Sequence, residues 1–134
     1  MTKKITPELA ELDRFSKHNG LTYIKWEKGY SQCSLEVNDS LLNPYHTVHG
    51  GALFMMADSG MGFALVPALE EGEQCASVEV SIVYLKAIKS GTLICDTIII
   101  KKSSKSAILE SEIKSGGQLV AKALGTWVIY KKRD

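Results

Sequence analysis

The stretch at residues 43–69 opens with an Asn-Pro turn, and the long apolar run that follows His49-Gly50-Gly51 predicts one long buried helix. Leu53, Met56, Met61 and Leu65 recur at spacings of three, five and four residues, and the run is too long for a strand. Its apolar residues point in nearly every direction around a helix, so we expect other elements to cover most of its surface. Asp58 is the only charged side chain in the run, and an ionised carboxylate in apolar surroundings is costly unless something compensates it.

Two glycines inside this predicted helix indicate close packing. Gly60 and Gly62 each weaken a helix by about 1 kcal/mol relative to alanine. We therefore expect other backbone to approach the helix closely, either from a sheet wrapped over it or through a bound ligand. A membrane-spanning interpretation is rejected, because the stretch is under about 20 residues long, carries Asp58 and is ended by Pro67.

Shorter patterns predict the other elements. Thr6 as a helix cap and Pro7 at the first helical position predict a short helix at about residues 7–18, which Asn19-Gly20 ends. Strands are predicted at residues 21–26 and 30–37, around a hairpin turn at 27–29, and a polar loop follows at 38–47. Further strands are predicted at residues 93–101, 106–114 and 119–130.

The segment after residues 70–72 alternates between apolar and polar side chains and predicts another strand. The pattern assigns Val78, Val80, Ile82 and Tyr84 to one face and Ser77, Glu79 and Ser81 to the other. The order of elements predicts an α+β fold, a mostly antiparallel sheet wrapped around one long central helix. Residues 1–134 are expected to form one domain, with an N-terminal helical segment at 1–20. Because a single sheet leaves open edges, we expect a homodimer that continues the sheet.

Composition removes several function classes. A formal net charge of +1 and a pI near 7.7 give no case for binding nucleic acid or a membrane. Cys33, Cys75 and Cys95 are odd in number and widely spaced, so they indicate neither a disulfide framework nor a zinc site. A reduced cytoplasmic protein is expected.

Four features are candidates for chemistry. Asp58 is the isolated carboxylate, and Gly50 and Gly51 lie at the helix start, where N–H groups lack partners within the helix and favour developing negative charge. Asn43 offers a side-chain amide six residues before His49, and Ser77 opens the following strand. Structural alternatives are a hydrogen-bonded buried Asp58, an Asn43 that caps the turn before the next proline, and glycines that serve only the tight helix entry.

Helix geometry constrains how these groups combine. Gly50 and Asp58 are eight residues apart, so they lie roughly 12 Å apart along the axis of one helix. One substrate carbonyl cannot touch both in the same chain. Either the two residues are unrelated, or each site combines the helix start of one subunit with Asp58 of the other across a two-fold axis.

The motif Asn43-x5-His49-Gly50-Gly51-x6-Asp58, followed by Ser77-Val78-Glu79 on a strand, resembles the hotdog-fold acyl-CoA thioesterases of the phenylacetate-degradation type. The resemblance covers residues from about 21 to 130, and it includes the order of the strands and the buried helix.

The resemblance implies roles for the candidate residues. The Gly50 N–H would polarise the carbonyl of a CoA thioester, while Asn43 and His49 shape that end of the site. Asp58 of the partner would act as general base or as nucleophile, and the hydroxyl of Ser77 would hold the water. Further substrate contacts are assigned to Gly51 and, for the CoA phosphates, to Lys86, Lys89 and Lys101, although lysines at strand ends are more commonly solvated.

The expected activity is hydrolysis of an acyl-CoA to a free acid and CoA by a homodimer, plausibly doubled to a homotetramer. No metal or cofactor is implied, since coenzyme A is part of the substrate. Two alternatives remain: an acyl-CoA or lipid-binding module without catalysis, and a hotdog hydratase or dehydratase. A buried Asp58 argues against the first, and the Asp/His pairing typical of the second is not found.

Overall fold

The computed structural model describes residues 7–133, in which a six-stranded antiparallel sheet wraps around one long helix. The elements are α1 Pro7–Leu12, α2 Arg14–His18, β1 Thr22–Glu27, β2 Tyr30–Glu36, α3 Gly50–Leu65, β3 Glu73–Tyr84, β4 Thr92–Lys102, β5 Ser106–Ser115 and β6 Gln118–Lys131, with 3₁₀ turns at Asp39–Leu41 and Val66–Ala68. The strands lie side by side in the order β1-β2-β4-β5-β6-β3. The predicted α+β fold is confirmed.

The N-terminal segment differs from the single helix predicted at residues 7–18. It forms α1 and α2, which are separated at Asp13, where ψ is 72° and the backbone leaves helical geometry. The carboxylate of Asp13 accepts a hydrogen bond from the hydroxyl of Tyr23 on β1, so a tertiary contact accompanies the break. In α2, Ser16 is buried and its hydroxyl lies 2.8 Å from that of Ser59 on α3. The proposed cap Thr6 lies outside the described residues.

Strand β3 corrects the predicted alternation of faces. Ser77 pairs with Trp127 and Glu79 pairs with Thr126, so Val78 is an extra residue in a β-bulge. The bulge places Ser77 on the same side of the sheet as Val80, which faces α3, instead of on the side of Glu79 and Ser81. Alternation alone could not reveal this shift, because a bulge changes the face of every residue before it.

The sheet positions α3 through a polar seam inside the apolar core. The hydroxyl of Ser31 donates to the carbonyl of Gly60 at 2.6 Å, and the hydroxyl of Ser111 donates to the carbonyl of Ala57 at 3.1 Å. A Cβ added at Gly60 would lie 2.7 Å from Oγ1 of Thr97. The close approach predicted at this glycine is therefore present, but side chains make it rather than the backbone of the sheet.

The stretch Gly50–Ala68 is long and apolar enough to cross a membrane by length and composition. In this structure it is the core helix, and α3 is packed against strands on the concave side of the sheet. Among the strands of residues 7–133, β3 forms one edge of the sheet and pairs only with β6. Its exposed apolar side chains include Val78 and Val83, which are 67% and 57% exposed.

Candidate active site

The start of α3 is held by His49. Nδ1 of His49 accepts a hydrogen bond from the Gly51 N–H at 2.8 Å, and its backbone carbonyl accepts one from the Ala52 N–H at 2.9 Å. An accepting Nδ1 places the proton of the neutral imidazole on Nε2. In the part of the chain that the structure describes, no hydrogen bond uses the Gly50 N–H. The cap therefore occupies Gly51 and leaves the N–H of Gly50 for another acceptor.

Asn43 stabilises the loop that leads into α3, and within residues 7–133 it makes no hydrogen bond to His49. Its Oδ1 accepts hydrogen bonds from the N–H groups of Tyr45, at 2.9 Å, and Thr47, at 3.2 Å. Its amide nitrogen donates to the hydroxyl of Thr47 at 2.9 Å. His46 in the same loop has a positive φ of 62°. These contacts form a compact side-chain-capped turn beside the helix start.

Tyr84 is a residue of this site that the sequence did not mark out beyond its strand position. Its hydroxyl donates to the carbonyl of Gly50 at 3.1 Å. A Cβ added at Gly50 would lie 3.1 Å from Cζ of Tyr84, so the tip of the phenol ring lies beside the place of a side chain at this glycine. A tyrosine in an alternating strand gives no signal for this contact, because it depends on where α3 lies against the end of β3.

Asp58 lies in the middle of α3 and is half buried. Burial raises the pKa of its carboxyl above the ordinary value of 3.8, a hydrogen bond with Ser77 lowers it in part, and the nearby charge of Asp13 raises it further. The balance is upward. Oδ1 of Asp58 is buried with no hydrogen-bond partner among residues 7–133. A buried carboxylate with a purely structural role normally has hydrogen-bond partners for its oxygens. Asp58 lacks such a partner at Oδ1 within the described residues.

The bulge in β3 brings Ser77 to Asp58. Ser77 faces the helix because Val78 is the additional residue, and on that face its hydroxyl lowers the pKa of the Asp58 carboxyl. Across the ladder, Nε1 of Trp127 is a second buried atom without a partner in the described chain. An acceptor on α3 and a donor on the residue that pairs with Ser77 thus remain unsatisfied within residues 7–133.

The predicted lysines do not form one group. Lys86 lies two residues after the end of β3, and its ammonium contacts the side-chain oxygen of Gln118. Lys89 follows Ile88, whose carbonyl accepts from the Val48 N–H just before the helix start. Lys101 lies near the C-terminal end of β4, away from the end of the sheet that carries Tyr84. Within one protomer the structure therefore does not bring Lys101 to Gly50.

Two cavities open on the first turn of α3. The Met55 cavity has a volume of about 230 Å³, is mainly apolar, and is lined by Phe15, Asn19, Ser40, Leu41, Leu42, His49, Gly51, Ala52 and Met55. The Tyr84 cavity has a volume of about 360 Å³ and is lined by Asn43, Thr47, Val48, Gly50, Leu53, Tyr84, Leu85, Lys86 and Ala87. Within residues 7–133 no cluster of three or more His, Cys, Asp or Glu side chains could hold a metal ion.

Comparison with known proteins defines the class. The family described as the thioesterase superfamily matches residues 45–122, a span that contains the helix start, Asp58, Ser77 and Tyr84. The chain belongs to the thioesterase superfamily, and the hotdog fold implied by the resemblance is confirmed.

Individual relatives agree with this assignment. A protein of Saccharolobus solfataricus, which its name assigns provisionally to the esterases, is 29% identical over 128 residues, which are 95% of this chain and 85% of that protein. The smu.793 protein of Streptococcus mutans, solved with acetyl CoA bound, is 29% identical with a TM-score of 0.78, over 86% of this chain and 92% of that one. A variant of the phenylacetic acid degradation protein PaaI of Thermus thermophilus is 25% identical with a TM-score of 0.78, over 85% and 96% of the two chains.

Proposed function

We propose that the protein hydrolyses acyl-CoA thioesters to a free carboxylic acid and CoA. The observation that carries this proposal is a pair of unsatisfied groups on α3: the N–H of Gly50 and the buried Oδ1 of Asp58. One is a hydrogen-bond donor at a helix N-terminus, and the other is a carboxylate with a raised pKa. Acyl transfer needs both kinds of group.

Each site combines the helix start of one protomer with Asp58 of its partner. The two groups lie on one helix, roughly 12 Å apart along its axis, so they cannot serve the same carbonyl within a protomer. Two antiparallel α3 helices facing each other across a two-fold axis bring each Gly50 close to the opposite Asp58. The open edge of β3 offers a strand that can pair with its copy and continue the sheet.

The reaction follows from these groups. The thioester carbonyl oxygen accepts the Gly50 N–H, which stabilises negative charge as the carbonyl carbon becomes tetrahedral. With Asp58 as general base, the carboxylate takes a proton from a water held with Ser77, the new C–O bond forms, and the C–S bond breaks. With Asp58 as nucleophile, its oxygen forms the new C–O bond, the C–S bond breaks and CoA leaves as thiolate; water then hydrolyses the mixed anhydride to the free acid and the Asp58 carboxylate. A thiol with a pKa near 8.5 leaves readily as thiolate, so no strong acid is needed.

The cavities offer places for the substrate. The mainly apolar Met55 cavity would take the acyl group, and the Tyr84 cavity, with Lys86 at its rim, would take the CoA arm. We expect a cytoplasmic homodimer that doubles to a tetramer. Ile98, Ile100 and Leu124, each about half exposed on the sheet, could support that second contact, and light scattering after size exclusion would measure the mass.

The test is thiol release from a panel of acyl-CoA substrates, from short and medium aliphatic chains to phenylacetyl and benzoyl. We expect hydrolysis by the unchanged protein and none by Asp58→Ala. CoA thioether binding without hydrolysis by the unchanged protein would contradict the proposal and favour a binding module. Hydration of an enoyl-CoA in place of hydrolysis would favour a hydratase.

A further inference from the structure

Tyr84 contacts the first turn of α3 in two ways. Its hydroxyl donates to the Gly50 carbonyl at 3.1 Å, and the tip of its ring lies beside the place of a side chain at Gly50, where an added Cβ would be 3.1 Å from Cζ and 3.2 Å from the hydroxyl oxygen. The side chain is 51% exposed, so burial in the core does not explain its position.

The backbone on both sides of Tyr84 is fixed by β6. Tyr84 pairs with Ala121 at the end of the β3–β6 ladder. The N–H groups of Leu85 and Lys86 both donate to the carbonyl of Val120, at 2.8 and 3.2 Å. The phenol is therefore carried by a strand end that is held in place, and not by a free loop.

We propose that Tyr84 is a positioning residue that keeps the Gly50 N–H directed at the thioester carbonyl. Glycine has more backbone freedom than other residues, and Gly50 has no side chain of its own to limit its rotation. A hydrogen bond to its carbonyl and a ring tip beside the place of its side chain restrict the residue from two sides. A donor that stabilises a transition state must hold its direction before the reaction begins. This inference rests on the proposed function and assigns a role to a residue outside the motif Asn43 to Ser77.

The first test compares Tyr84→Phe with the unchanged protein in steady-state hydrolysis of the preferred acyl-CoA. The variant keeps the ring and loses the hydroxyl, so the fold is preserved. We expect kcat to fall about two- to tenfold, the effect of one hydrogen bond, while KM changes little. Tyr130→Phe is the matched control, because it removes a phenol hydroxyl from the far end of the β3–β6 ladder, and its kcat should equal that of the unchanged protein.

A double-mutant cycle tests the ring. Gly50→Ala keeps the N–H but pushes its Cβ against the phenol, whereas Tyr84→Ala removes the phenol. We expect Gly50→Ala to reduce kcat more in the unchanged background than in the Tyr84→Ala background, because the two contacts are coupled.

The outcomes separate this inference from the proposed function. Hydrolysis with equal kcat in Tyr84→Phe and the unchanged protein would overturn the positioning role and leave the proposed function standing. Equal effects of Gly50→Ala in both backgrounds would overturn the role of the ring. Absence of hydrolysis by the unchanged protein would overturn the proposed function and this inference with it.

Discussion

The first turn of α3 and its middle are held in place by different kinds of contact. At the first turn the polar contacts are mainly local: His49 bonds to Gly51, and Asn43 bonds to Tyr45 and Thr47. In the middle they are long-range, since Ser111 reaches Ala57 from 54 residues away in the chain. At the first turn the Gly50 N–H is left without a partner in the described chain and can donate to a substrate atom. The middle of α3 is fixed by the sheet, which sets the position of the Asp58 carboxylate.

This difference leads to opposite expectations for mutation. A change at the first turn should reduce turnover with a small effect on stability, because few distant contacts depend on it. A change in the sheet-facing side of the middle should reduce stability, because the sheet packs directly against it. Asp58 is the exception to this expectation. It lies in the middle of α3, but its Oδ1 has no hydrogen-bond partner in the described chain.

The largest effect is expected for Asp58→Asn, which removes the proposed base or nucleophile and keeps the shape. Turnover should fall on the order of 100- to 10,000-fold or more in the thiol-release assay. The variant should also resist urea better than the unchanged protein at neutral pH. Burial raises the pKa of Asp58, so the charged form destabilises the folded state above that pKa.

This stability difference should shrink as the pH falls through the raised pKa and vanish below the ordinary aspartate pKa of 3.8, where the carboxyl is neutral in both the folded and unfolded states. Urea midpoints across that pH range measure it. An Asp58→Asn protein with full turnover would contradict the catalytic assignment.

Gly50→Pro should produce the next largest loss, because it removes the N–H proposed to polarise the carbonyl. Proline suits the first helical position, and ψ of 135° at His49 is compatible with a following proline. We expect kcat on the order of 100- to 1000-fold below that of Gly50→Ala, which adds a similar Cβ but keeps the N–H. Equal kcat values in the two variants would show that the N–H has no role.

Gly60→Ala tests the sheet-facing side of the middle. The added Cβ would lie 2.7 Å from Oγ1 of Thr97, so the buried seam must shift. We expect the free energy of unfolding to decrease by about 1–3 kcal/mol in urea titration. Gly62→Ala is the control on the same helix, because its Cβ would meet only the ring edge of Trp127 at 3.3 Å, and it should cost less. Equal or greater stability in Gly60→Ala would contradict the packing argument.

Ser77→Ala should give the smallest effect, a shift in pH dependence. The hydrogen bond from Ser77 lowers the pKa of Asp58, so its loss should move the acid limb of kcat/KM to higher pH. The proposed mechanism needs the ionised carboxylate of Asp58, and the variant should therefore lose activity first at the acidic end of the pH range. Ser81→Ala changes an exposed serine on the same strand and should leave the profile in place. An unshifted Ser77→Ala profile would separate Ser77 from Asp58.

The two regions also differ in how far the sequence could predict them. His49, Gly50 and Gly51 are consecutive, so their place at a helix start follows from local patterns. The long helix and the strands could also be predicted from local patterns, because each has a characteristic periodicity of apolar residues. The separation of Gly50 from Asp58 followed from helix rise once both were placed on one helix.

Features that depend on distant residues were not predictable. The break at Asp13 accompanies a bond from Tyr23, and the bulge at Val78 appears only in the register with β6. The alternation pattern therefore assigned Ser77 to the wrong face. The place of Tyr84 beside Gly50 joins residues 34 positions apart, and no local pattern encodes that contact.

Mixing two inactive variants tests whether each site uses the helix start of one protomer and Asp58 of the other. Gly50→Pro and Asp58→Asn subunits are unfolded, combined in equal amounts and refolded together. If sites are shared, half of the dimers contain both variants and each of those has one intact site, so activity should return to about a quarter of the unchanged protein's value. No recovery in refolded mixtures, with mixed dimers shown by distinct tags, would contradict the shared site.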